Sequence, residues 1–101
     1  MKDTYFEDMV LDELKNHSSK NPLTRWQMKD LTKLSDVQNR QIIGALRDKG
    51  IRVINNSTGY WIGTDEEYKE WLPTYTAYAK TILHRVAMMN GFTDGQIGIE
   101  V

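Results

Sequence analysis

Residues 35–50 read S-D-V-Q-N-R-Q-I-I-G-A-L-R-D-K-G, and this stretch decides how the rest of the chain is read. Ser35 and Gln38 have the S-x-x-Q spacing of a reciprocal helix N-terminal cap. Ile42, Ile43 and Leu46 recur at helical spacing and mark one apolar face. Gly50 stands where a glycine ends a helix in the left-handed conformation. Arg40, Arg47 and Lys49 add positive charge, and Gln38, Asn39 and Gln41 add side-chain amides. A helix over 35–49 can dock by one face and offer amides and guanidinium groups to base edges from another. Taken alone, the same segment reads more readily as a solvated amphipathic helix.

Working outward to the N-terminal side, residues 25 to about 33 form a short helix carrying Trp26, Met28 and Leu31 as apolar anchors. Thr24 and Gln27 give it a second capping-box spacing. Leu34 is expected as a buried plug in the turn, so two short helices meet at helix-turn-helix spacing. Further back, Phe6, Met9, Val10 and Leu14 fall at i, i+3, i+4 and i+8, which predicts a first helix over 3–17. Asp3, Glu7 and Asp8 sit early in it, where they suit the helix dipole, and His17 sits at its end, where a structural role is expected. The run from His17 to Pro22 is turn-forming.

On the C-terminal side, Ile51-Arg52-Val53-Ile54 is strand-like and Asn55-Asn56-Ser57-Thr58-Gly59 is a polar turn. Tyr60-Trp61-Ile62 returns as a second strand. Such a hairpin is too small to stand alone and must pack on the helices, with Trp61 in the core. Ile43, Leu46 and Tyr60 are expected to be buried together. Thr64 and Glu67 then form a third capping box. A helical pattern follows to about Met89, and Pro73 predicts a kink or a break within it. Leu72, Tyr75, Ala79, Ile82, Val86 and Met89 step by threes and fours, the spacing of a coiled-coil seam. Tyr68, Trp71, Tyr78 and Leu83 widen that surface. The pattern predicts a homodimer through the seam, with folding back onto the first helix at Pro73 as the rival. Gly91 can cap the helix, and the tail 91–101 is expected to be loose or to be ordered by a partner.

Residues 4 to about 63 resemble the winged helix-turn-helix family, in the variety found in biotin-ligase-type repressors and small phage or prophage regulators. Leu34, Ser35, Arg40, Ile43, Leu46, Arg47, Gly50, Ile51 and Val53 match its helix pattern, and Gly59, Tyr60, Trp61 and Ile62 its closing wing. Asn39 stands where an aliphatic residue is usual, which weakens that core position. The fold class expected is α+β, mostly α: a winged helix-turn-helix over 1–63, a long C-terminal helix over 64–90 and a tail over 91–101. The resemblance implies that helix 35–49 enters the major groove of duplex DNA. Ser35, Val37, Gln38, Arg40, Gln41 and Arg47 would then face the duplex. Thr24 and Arg25 would meet a phosphate. The wing tip, Asn55 to Thr58 with Asn56, Ser57 and Thr58 as its contact residues, would approach the backbone or the adjacent minor groove, with no Lys or Arg to strengthen it. The function implied is a regulator of transcription or phage replication. Some winged helices grip proteins instead, so a protein-interaction module and a subunit of a structural assembly stay open beside it.

The totals bound these readings. At 101 residues with 40 % hydrophobic content the chain suits one globular domain with a real core. No cysteine is present, so disulfides and thiolate metal sites are excluded, and a cytoplasmic location fits. No apolar run reaches the ~18 residues of a membrane span, and no signal peptide is recognisable. The net charge of −1 divides unevenly: residues 1–19 carry −3, residues 20–52 carry +5 and residues 53–101 carry −3. A basic middle suits a face that meets phosphates, although chance clustering on a solvated surface would look the same. No nucleophile elbow, phosphate loop, zinc-protease or dinucleotide pattern occurs, so neither an enzyme nor a cofactor or metal is expected.

Overall fold

The computed structural model describes residues 4–91. Four helices and three short strands follow in the order α1 (Tyr5–Leu14), β1 (Leu23–Thr24), α2 (Arg25–Thr32), α3 (Asp36–Asp48), β2 (Val53–Asn55), β3 (Gly59–Ile62) and α4 (Asp65–Met89). The fold is therefore mostly helical with a small antiparallel sheet. It divides into two compact units between Tyr68 and Lys69, inside α4.

In the first unit α1, α2 and α3 enclose one core. Val10 and Leu14 from α1, Met28 from α2, and Ile43 and Leu46 from α3 are buried against Leu23 and Val53 of the sheet. The apolar spacing of each helix dictates this, because residues three and four apart share a face. Tyr60 and Leu34 only half-enter the cluster, so neither is the buried plug or full core member that the pattern predicts. Trp26 departs further and is 66 % exposed. It precedes Met28 by two positions, which puts it on the opposite side of α2.

All three capping boxes form. Thr24 Oγ1 accepts from Gln27 N at 3.1 Å, Ser35 Oγ from Gln38 N at 3.2 Å and Thr64 Oγ1 from Glu67 N at 3.2 Å. In each case the third-position side chain returns the bond to the backbone N–H of the capping residue. Lys33 ends α2 with φ 62°, and Gly50 follows α3 with φ 88°, so left-handed residues close both helices. The first helix is shorter than 3–17. After Leu14 the chain turns, and the His17 ring bridges Glu13 Oε2 at 2.9 Å and the Asn21 carbonyl at 2.8 Å.

The sheet has three strands in the order β1-β3-β2, not the two of a simple hairpin. Leu23 and Thr24 pair antiparallel with Tyr60 and Gly59, while Val53, Ile54 and Asn55 pair with Ile62, Trp61 and Tyr60. A side chain at position 59 would run into the Leu23 carbonyl, so only glycine lets β1 approach β3 here. Trp61 is buried, and its indole N–H donates to Glu67 Oε1 at 3.1 Å.

In the second unit α4 passes through Pro73 as one helix, so the expected break is absent. No helix among the described residues is long and apolar enough to cross a membrane. Gly91 takes φ 83° after α4, and the rest of the expected tail lies outside the described residues.

Candidate nucleic-acid interface

The face of α3 turned from the core is assembled by that core. Asn39, Ile42, Ile43 and Leu46 lie at i, i+3, i+4 and i+7 and are all buried. Val37, Gln38, Arg40 and Gln41 necessarily fall on the opposite side and are exposed. Val37 is 55 % exposed, unusual for a β-branched apolar residue but suited to a methyl-sized apolar contact. Gln38 commits its amide oxygen to the cap, at 3.1 Å from both Ser35 N and Ser35 Oγ, so what it presents is its N–H₂ group. Arg40 forms no ion pair with any described residue.

The turn before α3 is held by a buried polar pair. Thr32 Oγ1 lies 2.8 Å from Asn39 Oδ1 and 3.0 Å from the Met28 carbonyl, so its single proton serves one of them at a time. The same oxygen accepts from Leu34 N at 3.1 Å. Asn39 therefore does not simply weaken the core position: it joins α3 to the end of α2. Its Nδ2 is buried without a hydrogen-bond partner.

Beside this pair is a cavity of about 70 Å³ lined by Arg25, Met28, Asp36, Asn39, Arg40 and Tyr60. Arg25 reaches from the start of α2 to Asp36 in the first turn of α3, with Nε 3.1 Å from Oδ2. Its guanidinium also lies 4.7 Å from the Trp26 ring centroid, and Lys29 Nζ lies 5.3 Å from the same ring. Two cations thus frame an exposed aromatic face, an arrangement the sequence reading missed. The signal was the two-residue step from Trp26 to Met28.

Other basic residues have structural tasks. Arg47 Nε donates to the Val53 carbonyl at 2.8 Å and its Nη2 to Asn55 Oδ1 at 3.2 Å, tying α3 to β2. Lys49 Nζ is 2.5 Å from the buried Glu7 Oε1, tying the end of α3 to α1. Arg52 pairs with Asp65 and lies over the Tyr68 ring at 4.4 Å. At the hairpin tip, Asn56 Oδ1 accepts from Thr58 N at 2.8 Å and Gly59 N at 3.1 Å, which shapes the turn. Ser57 and Thr58 remain exposed there, and Thr24 is half-buried as a cap.

So Ser35, Val37, Gln38, Arg40 and Gln41 come together on one helix, with Thr24 and Arg25 beside them through the Arg25–Asp36 pair. Arg47 and Asn56 are engaged with the hairpin instead. Of the six seam residues, Leu72, Tyr75 and Ile82 are 37 %, 41 % and 36 % exposed and Met89 is 79 % exposed. Ala79 is exposed and Val86 half-buried.

Glu67, which caps α4, has its carboxyl held below the usual glutamate range. The Thr64 backbone N–H contributes most to this and the Trp61 indole N–H next, partly offset by desolvation. Among the described residues no group of three or more His, Cys, Asp or Glu is placed to hold a metal ion. Comparison with protein-family models, with curated proteins and with solved structures finds no match for the chain.

Proposed function

We propose that this protein is a duplex DNA-binding regulator of transcription or phage replication, built as a winged helix-turn-helix and working in the cytoplasm. The observation that carries the reading is the division of α3, with Asn39, Ile42, Ile43 and Leu46 buried and Val37, Gln38, Arg40 and Gln41 exposed directly after a tight interhelical turn. In this reading α3 lies in the major groove. Gln38 and Gln41 read base edges, Val37 meets a thymine methyl, and Arg40 takes a phosphate. The loop between β2 and β3 is the wing, where Ser57 and Thr58 approach the backbone as neutral donors.

Fluorescence titration of random-sequence duplex DNA across a range of salt tests this. Binding at low salt that weakens as salt rises is the expected result, because neutralised phosphates release their counterions. Arg40→Ala with Gln41→Ala should weaken binding while leaving the thermal melt unchanged, since both side chains are exposed.

The exposed Trp26 with Arg25 and Lys29 around it favours a second reading, a protein-interaction module. Tryptophan and arginine dominate protein-binding hot spots. Absence of duplex binding at low salt would select that reading over the first.

A further inference from the structure

We propose that residues 71–89 of α4 dock on the outer face of α1 in a second copy of this chain, and the reverse, so that two copies exchange helices. This does not rest on the DNA reading. The exposed apolar surface of α4 comprises Leu72, Tyr75, Tyr78, Ile82 and Leu83, each between 36 % and 62 % exposed. These residues form one wide stripe at helical spacing, and a contiguous apolar patch of this kind marks an interaction site. Asp and Glu are absent from residues 71–89, and Lys80 and Arg85 flank the two edges of the stripe. Packing α4 against α4 of a second copy would therefore set basic edges against basic edges.

The outer face of α1 has the complementary character. It borders a groove of about 480 Å³ lined by Tyr5, Asp8, Met9, Leu11, Asp12 and Lys15. Asp8 and Asp12 stand one turn apart on it and are exposed, two carboxylates against the single amine of Lys15. Apolar floor and acidic rim match an apolar stripe with basic edges. Exchange between two copies makes both contacts at once and closes the assembly.

Sedimentation of the full chain at micromolar concentration tests this, with far-UV circular dichroism as the folding control. The unaltered chain should be a dimer. Asp8→Lys with Asp12→Lys should weaken self-association by roughly tenfold or more, and Lys80→Glu with Arg85→Glu should do the same. The decisive arm mixes the two variants. Each alone sets like charges together, but one of each restores opposite charges at both contacts, so the mixture should form a heterodimer. A monomer for the unaltered chain would overturn the proposal and place the stripe inside one chain. A dimer indifferent to the α1 substitutions but broken by Ile82→Asp would overturn it in favour of α4 against α4.

Discussion

Asn39 shows how far one residue can be read from its spacing. Its place at i relative to Ile42, Ile43 and Leu46 assigns it to the buried face, and it is buried. What the spacing could not reveal is the partner, because Thr32 lies on another helix and the 2.8 Å bond exists only once the turn is closed. Removing one member of a buried polar pair costs more than removing both, since the survivor is left without its bond. Thr32→Val should therefore lower stability by about 1–3 kcal/mol. Adding Asn39→Leu to it should return much of that loss, because the orphaned Nδ2 goes as well. A double-mutant cycle by urea denaturation measures the coupling. Additive losses would mean that the Thr32–Asn39 bond does not link the two helices.

At the scale of elements, helix starts were the most legible part of the chain. Ser35, Thr24 and Thr64 each cap as their sequence spacing requires, because a capping box is a local interaction needing only four residues. β1 was not legible. Two residues show no period, and Leu23 and Thr24 become a strand only because Gly59 lets β3 come close. At Pro73 a break was one of two expected outcomes, since local chemistry disfavours proline inside a helix, yet α4 continues through it. The cap of α4 also makes a pH prediction. The Glu67 carboxyl is held below its ordinary value of 4.5, chiefly by the Thr64 backbone N–H and then by the Trp61 indole. A group depressed in the folded state adds stability above its unfolded value and loses it as pH falls through the folded one. Acidification below that ordinary range should shift the Trp61 indole N–H resonance and lower the melting temperature together. In Glu67→Gln, which can still cap, the indole resonance should no longer follow this titration. A Trp61 resonance that ignores acid in the unaltered protein would show that Glu67 is not its partner.

Across the whole molecule the basic middle of the sequence is less free than its count suggests. Residues 20–52 hold eight Lys and Arg. In the structure Arg25, Lys33, Lys49 and Arg52 lie in ion pairs with Asp36, Asp30, Glu7 and Asp65. Arg47 is bound to the hairpin. Sequence reasoning counts charges, but only the fold reveals which of them face one another. Exposed pairs such as Lys33–Asp30 are weak enough for a phosphate to displace, whereas Lys49 answers a buried carboxylate. DNA binding should therefore depend on salt with a slope of roughly −2 to −4, far shallower than eight phosphate contacts would give. Two substitutions separate the roles. Arg40→Gln should reduce the slope by about one and leave the melt unchanged. Lys49→Gln leaves Glu7 unanswered, so it should cost about 1–3 kcal/mol of stability without altering the slope. If Lys49→Gln changed the slope and Arg40→Gln did not, the duplex would be meeting the far end of α3, near α1, instead of the N-terminal half. Such a result would relocate the interface while keeping duplex binding itself.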